Sequence, residues 1–157
     1  MKKGILLFGS SGHARVLADI VSLGETFHLA GVLDDFLPPG TAVLGSQVVG
    51  NSDTIAEALR LTGCDHVTMA VGHNYHRLRL ARKLEALADF RWQALVHPAA
   101  TVAASAVVGD GTVIMAGAVV GPGCQLGSHC IVNTGATVDH DCQLWSGASV
   151  GPGAHLG

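Results

Sequence analysis

From residue 100 to the end of the chain, the hydrophobic positions recur every sixth residue. Val102, Val108, Ile114, Val120, Leu126, Val132, Val138, Leu144, Val150 and Leu156 are all aliphatic. Two places before each stands a small residue: Ala100, Ala106, Thr112, Ala118, Cys124, Cys130, Ala136, Cys142, Ala148 and Ala154. A spacing of two puts both residues on the same side of a strand, so each hexad sends one large and one small side chain inward. Gly directly follows the aliphatic residue at 109, 121, 127, 151 and 157, where it is expected to turn the corner at positive φ. Three hexads close a triangular coil, so Val102, Val120, Val138 and Leu156 stack with coils about 4.8 Å apart. The pattern predicts a parallel β-helix of hexapeptide repeats over residues 97–157.

The first 96 residues follow another rhythm. Lys3–Phe8 is a short apolar run that reads as a buried strand, followed by the Gly9–His13 turn and helical spacing over Ala14–Leu23. His28–Leu33 reads as a strand ending in Asp34 and Asp35. Asp53–Arg60 reads as a helix capped by Ser52 or Asp53, His66–Val71 as a strand and Tyr75–Leu87 as a helix. Strands alternating with helices predict a small parallel sheet of Rossmann-like type over residues 1–96.

Composition narrows this picture. Charged residues are 13% and aromatics 4% of a chain that is 48% hydrophobic, so Val, Ala, Leu and Ile must fill the cores. The net charge of −3 comes with no basic cluster, which argues against a nucleic-acid or anionic-membrane partner. No stretch has transmembrane length, and a cytoplasmic protein is expected. Cys64, Cys124, Cys130 and Cys142 fit no zinc-ligand spacing, so no metal is expected. Three of them fall on small inward positions of the hexads.

Chemistry is expected at two places. In an open parallel sheet, ligands gather at the C-terminal ends of the strands. Three loops leave there: Gly9-Ser10-Ser11-Gly12-His13, Asp34-Asp35 and Gly72-His73-Asn74-Tyr75-His76-Arg77. Small residues before a helix let a phosphate approach backbone N–H groups, the carboxylates suit a base or sugar hydroxyls, and the third loop offers donors. The first loop lacks the G-x-G-x-x-G fingerprint, so a nucleotide-type ligand other than NAD is expected. In the repeats, His140 follows the inward Val138 by two places, at a corner between Asp139 and Asp141. A carboxylate-held imidazole suits a general base, and a plain surface histidine is the competing reading.

The G-S-S-G-H turn, the D-D pair, the Gly72–Arg77 loop, the His97-Pro98 linker and Asn133-Thr134-Gly135-Ala136-Thr137-Val138-Asp139-His140-Asp141-Cys142 together resemble one family. It is the sialic acid O-acetyltransferase (NeuD) family, which includes PglD-like nucleotide-amino-sugar N-acetyltransferases. The resemblance runs along essentially the whole chain. It implies a left-handed β-helix, against the usual right-handed crossover, and a homotrimer with sites between neighbouring helices. It also implies acetyl-CoA as co-substrate and a nucleotide-linked amino sugar as acceptor. By the same resemblance His140 is the base, Asp141 the residue that raises its basicity and Asn133 a neighbour of the acceptor. Gly9, Ser11, Gly12, His13, Asp34, Asp35, Gly72, Asn74 and Arg77 then form the nucleotide-sugar site. Two departures matter. Ser149 occupies the position where family members carry a second histidine that contacts acetyl-CoA. The repeats also stop at Gly157, where relatives continue for several coils, so the β-helix reads as truncated. A nucleotide-sugar-binding trimer without turnover and an O-acetyltransferase of a sialic-acid-type sugar are the alternatives.

Overall fold

In the computed structural model, which describes residues 1–157, the chain divides into two compact units, Met1–Gln93 and Ala94–Gly157. The first contains β1 (Lys3–Phe8), α1 (Gly12–Leu23), β2 (Phe27–Leu33), β3 (Ala42–Val43) and β4 (Ser46–Gly50). It continues through a 3-10 turn (Ser52–Thr54), α2 (Ile55–Thr62), β5 (His66–Met69), α3 (Asn74–Leu87) and β6 (Arg91–Trp92). The sheet order is β3-β4-β2-β1-β5-β6, parallel except for the β3–β4 hairpin at one edge. β1 lies between two parallel partners. Its Ile5, Leu6 and Leu7 are fully buried, which is why the strand reads as a continuous apolar run. Leu6, Phe8, Leu33, Val67 and Met69 pack with Ile55 and Ala58 of α2 and Leu84 of α3 in one cluster.

Local chemistry sets the boundaries. Asn51 caps the 3-10 turn that leads into α2, and Thr54, not Ser52 or Asp53, holds the cap position of α2 itself. The Asn51 side chain accepts from the Asp53 and Thr54 N–H groups at 3.0 and 3.1 Å, while Thr54 Oγ1 accepts from Asn51 N–H at 2.9 Å. That reciprocal pair is a capping box, and the 3-10 turn it closes occupies the first residues expected of the helix, so α2 begins at Ile55 and not Asp53. The β3–β4 hairpin was not expected from the sequence. Its two-residue turn uses Leu44 (φ 54°) and Gly45 (φ 71°), the positive-φ pair that matches strand twist, but leucine is a poor signal for it.

The second unit contains eleven two-residue strands: β7 (Leu95–Val96), β8 (Thr101–Val102), β9 (Val107–Val108), β10 (Val113–Ile114), β11 (Val119–Val120), β12 (Gln125–Leu126), β13 (Ile131–Val132), β14 (Thr137–Val138), β15 (Gln143–Leu144), β16 (Ser149–Val150) and β17 (His155–Leu156). They form three parallel sheets, ordered β7-β10-β13-β16, β8-β11-β14-β17 and β9-β12-β15. Val102, Val120, Val138 and Leu156 are successive partners at the eighteen-residue interval. Both inward classes meet in the core, where Ala118, Cys124, Cys130 and Ala136 are fully buried beside Val120, Leu126, Val132 and Val138. All four cysteines are free thiols. The stack takes in Leu95–Val96, which pairs with β10, so the coil begins two residues ahead of the boundary drawn from the sequence.

One expectation about the corners is corrected. Positive φ falls not on the residue after the aliphatic position but two places later, at Gly111, Gly117, Gly123, His129, Gly135, Asp141, Gly147 and Gly153. Of the glycines that directly follow the aliphatic residue, Gly109, Gly121 and Gly127 serve close packing between coils. A Cβ on Gly109 would lie 2.5 Å from Gly127 C, and one on Gly127 would lie 2.6 Å from Ser146 N.

Candidate functional site

The three strand-end loops do leave one edge at one level. Phe8 is in register with Leu33 on one side and with Met69 on the other. Gly9 continues this ladder, donating to Leu33 O at 2.8 Å. Gly9 has φ 106°, and a Cβ there would lie 3.0 Å from Ala70 O, so both its backbone conformation and its tight approach to the end of β5 favour glycine. Ser11 and Gly12 are exposed at the start of α1. That end carries neither a side-chain cap nor an acidic residue in its first turn, leaving N–H groups of the kind that attract an anion.

Several of the polar residues are committed within the protein. Asp34 is 6% exposed. Its Oδ1 accepts from Phe36 and Leu37 N–H at 2.8 and 3.1 Å, and its Oδ2 accepts from Ser10 Oγ at 2.6 Å. Asp34 therefore ties the second loop to the first. Asp35 is exposed, and its Oδ1 accepts from Ser52 N–H at 2.7 Å. Arg77 is 1% exposed and donates to Val71 O, Gly72 O and Asn74 Oδ1 at 3.0, 2.7 and 3.0 Å. Gly72 and Asn74 themselves are on the surface. His13 Nε2 is buried with no hydrogen-bond partner. Burial, and then the nearby Arg77 charge, push the His13 pKa down to about 4, so the ring is neutral at neutral pH. Ser10 and its link to Asp34 escaped the sequence reading, because Ser in a Gly-rich turn carries no distinguishing signal.

In the β-helix, His140 sits at the corner between β14 and β15. Its Nδ1 lies 2.9 Å from Asp141 Oδ2, and its backbone N–H donates to Asp139 Oδ1 at 2.8 Å. With Nδ1–H donating to Asp141, Nε2 keeps its lone pair on an imidazole that is 71% exposed. The Asp141 hydrogen bond, then the charges of Asp139 and Asp141, raise the His140 pKa above its ordinary value. Asp141 itself has φ 60°, a left-handed conformation that aspartate tolerates better than most side chains. Six of the eight equivalent corners use Gly, so a carboxylate there is a local cost accepted for its position. Gly123, one coil below, leaves room for it: a Cβ on Gly123 would lie against Asp141 Oδ1.

A surface pocket of about 370 Å³ adjoins this corner, with Asp139, Thr137, His155 and Gly121 in its lining. Thr137 Oγ1 and His155 Nδ1 are 2.8 Å apart there. Asn133 is not at this corner. It leaves β13 at the preceding one, where its Oδ1 accepts from Thr134 N–H at 2.8 Å. Ser149 is exposed on β16, in register with Ile131 of β13, and so lies on a different face from the β14–β17 sheet. No group of three or more His, Cys, Asp or Glu is gathered as metal ligands, and no helix is long and apolar enough to cross a membrane.

Residues 4–84 match the family described as PglD N-terminal domain. The chain belongs to this family. Residues 105–140 match the bacterial transferase hexapeptide, a six-repeat unit, so the stacked coils are those of a left-handed β-helix. The UDP-N-acetylbacillosamine N-acetyltransferase of Bacillus subtilis is 38% identical over 112 residues. That match takes in 71% of this PglD-family chain and 50% of the relative, so the chain spans about half the length of the curated relative it matches. Among solved structures, the acetyltransferase domain of PglB from Neisseria gonorrhoeae superposes with a TM-score of 0.88 at 38% identity, over 99% of this chain and 74% of that one. A histidine-to-alanine mutant of GDP-perosamine N-acetyltransferase from Caulobacter crescentus, in complex with CoA and GDP-perosamine, superposes with a TM-score of 0.87. It is 35% identical, with 97% of this chain and 70% of that one covered.

Proposed function

We propose that this PglD-family chain transfers an acetyl group from acetyl-CoA to the amine of a nucleotide-linked amino sugar, with His140 as general base. The observation that carries this reading is the His140–Asp141 pair, an outward imidazole with Nδ1 held at 2.9 Å by a carboxylate in a left-handed corner. His140 Nε2 takes a proton from the attacking amine, whose nitrogen bonds to the thioester carbonyl carbon. The carbon–sulfur bond breaks, and CoA leaves as the thiol once its sulfur is protonated. Asp141 and Asp139 stabilise the imidazolium formed on the way. The nucleotide occupies the strand-end edge built from Gly9, Ser11, Gly12, His13, Asp34, Asp35, Gly72 and Asn74, and Ser149 lies along the path of the CoA arm.

Asn133 and His140 belong to successive corners of the triangular coil. A site using both is completed by a second copy, which supports a homotrimer. The relatives' names, which pair UDP-N-acetylbacillosamine or GDP-perosamine with N-acetyl transfer, favour an amine over a hydroxyl acceptor.

The test is thiol release from acetyl-CoA in the presence of UDP- and GDP-linked 4-amino sugars. His140→Ala is expected to lower kcat at least a hundredfold, as loss of a general base does, with nucleotide-sugar affinity unchanged. Because the base must be neutral and its pKa is raised, turnover is expected to rise with pH through a value above 6.5. Thiol release by His140→Ala at the wild-type rate would remove His140 from this role. A wild-type protein that binds nucleotide sugar and releases no thiol would leave the binding-module reading in its place.

A further inference from the structure

A cation in the first turn of a helix opposes the helix dipole, and a buried guanidinium costs free energy unless its donors are satisfied. Arg77 accepts both penalties. It lies in the first turn of α3, 1% exposed, and it donates back to the loop that precedes the helix and to the helix's first residue. Acceptors stand six, five and three residues before it: Val71 O, Gly72 O and Asn74 Oδ1. They run from the middle of the β5–α3 connection to the first residue of α3. Two of them are carbonyls just beyond the last β5 residue, Met69, at the edge where Phe8 and Leu33 also end.

We propose that Arg77 is a positioning residue of the nucleotide-sugar site and not one of its ligand contacts: it folds the Val71–Asn74 loop so that Asn74 meets the ligand. This rests on the nucleotide-sugar reading above. An arginine that gripped phosphate would need donors facing solvent, whereas this guanidinium is enclosed and holds two carbonyls of the loop before its helix. Lysine cannot replace it, because one ammonium cannot reproduce a planar fork that holds two backbone carbonyls and a side-chain amide together. The neutral state of His13, to which the Arg77 charge contributes, fits the same picture. The guanidinium acts on the first loop through its field while its hydrogen bonds shape the third.

The experiment compares Arg77→Lys, Asn74→Ala and the double variant. It reads the KM for the nucleotide sugar, the affinity for the nucleoside diphosphate alone, and hydrogen exchange over residues 70–76 without ligand. Arg77→Lys is expected to raise that KM by about tenfold to a hundredfold, the cost of misplacing a contact by about 1 Å, with kcat and the KM for acetyl-CoA unchanged. Exchange in the loop rises in the ligand-free protein. The double variant is no worse than the poorer single one, because both changes remove one unit. Effects that multiply in the double variant, with loop exchange unchanged, would overturn the proposal and return Arg77 to the ligand. Wild-type protein that binds no nucleoside diphosphate or nucleotide sugar would instead defeat the functional reading. The loop exchange of Arg77→Lys then still decides whether Arg77 shapes the loop, and unchanged exchange would refute that too.

Discussion

Gly121→Ala isolates the geometry of the His140 corner from its chemistry. Gly121 lies one coil below and has an ordinary backbone conformation, so a methyl group there brings no φ penalty. Its Cβ would stand 2.8 Å from His140 N, 3.0 Å from Asp139 C and 3.2 Å from His140 Cα. Ordinary contact begins at 3.4 Å, so the backbone above must lift by about 0.6 Å, and no rotamer change can relieve a clash with main chain. Gly121 N–H also donates to Val138 O at 2.8 Å, and Asp139 N–H to Leu156 O at 2.9 Å, so the lift strains the ladder on both sides. Overpacking of this kind costs about 1–3 kcal/mol of stability. A displacement approaching 1 Å at a reacting group costs up to about a hundredfold in rate, so a loss between tenfold and a hundredfold in kcat is expected. Two assays read this. Thiol release gives the rate, and an NMR titration of His140 shows its pKa falling towards 6.5 as the Asp141 hydrogen bond loosens. Gly151→Ala is the control, since Gly151 holds the same place in its hexad with nothing within 4 Å of the added Cβ. If folded Gly121→Ala keeps both the His140 titration and the turnover of wild type, the corner is not held from below and the reasoning fails.

The His13 ring makes stability depend on pH. Its folded-state pKa of about 4 lies below the ordinary 6.5, so between those values the unfolded chain binds the extra proton. Stability is then full above pH 6.5 and falls as the pH drops towards 4. The loss is on the order of 2 kcal/mol after allowing for residual solvent at the ring; urea unfolding across this range should show it, and His13→Asn should flatten that part of the profile. Inside the β-helix, Thr112 is fully buried, donates to Gly127 O at 2.8 Å and accepts from Cys130 N–H at 3.0 Å. Thr112→Val keeps the shape and deletes both bonds, so it should cost about 1–3 kcal/mol, and a thermal midpoint equal to wild type would show that these bonds carry no weight.

The β-helix was legible because its period is stated ten times over in residues that must face inward. What the period does not contain is how one coil lies on the next. Gly after the aliphatic residue looks like a corner glycine, yet at 109, 121 and 127 a Cβ would strike the coil above. The true left-handed position, two residues on, is glycine often enough to stay hidden beside it. Once the two are separated, His129 and Asp141 stand out as the positions where a side chain has replaced Gly at positive φ. Asp141 is the one beside His140. The flanking carboxylates already single out His140 in the sequence, and the correct corner position adds that Asp141, not Asp139, is the one at positive φ.

The sheet edge was legible in a different and weaker sense. Strand ends and Gly-rich turns locate it, since Phe8, Leu33 and Met69 must end together if the strands are parallel neighbours. Charge patterning then misleads about what is done there. Asp34 and Arg77 look like ligand groups because both are acidic or basic residues at the strand-end edge, but Asp34 accepts from backbone N–H groups two and three residues on and Arg77 donates to carbonyls five and six residues back. An irregular loop cannot satisfy its carbonyls and N–H groups through a ladder, so charged side chains are recruited to do it. What the edge offers a ligand is less conspicuous: backbone N–H groups at the uncapped start of α1, with the neutral His13 ring behind them. Such an edge would recognise a nucleotide mainly by hydrogen-bond geometry, and raising the salt concentration should weaken binding far less than it does at a lysine- or arginine-lined phosphate site.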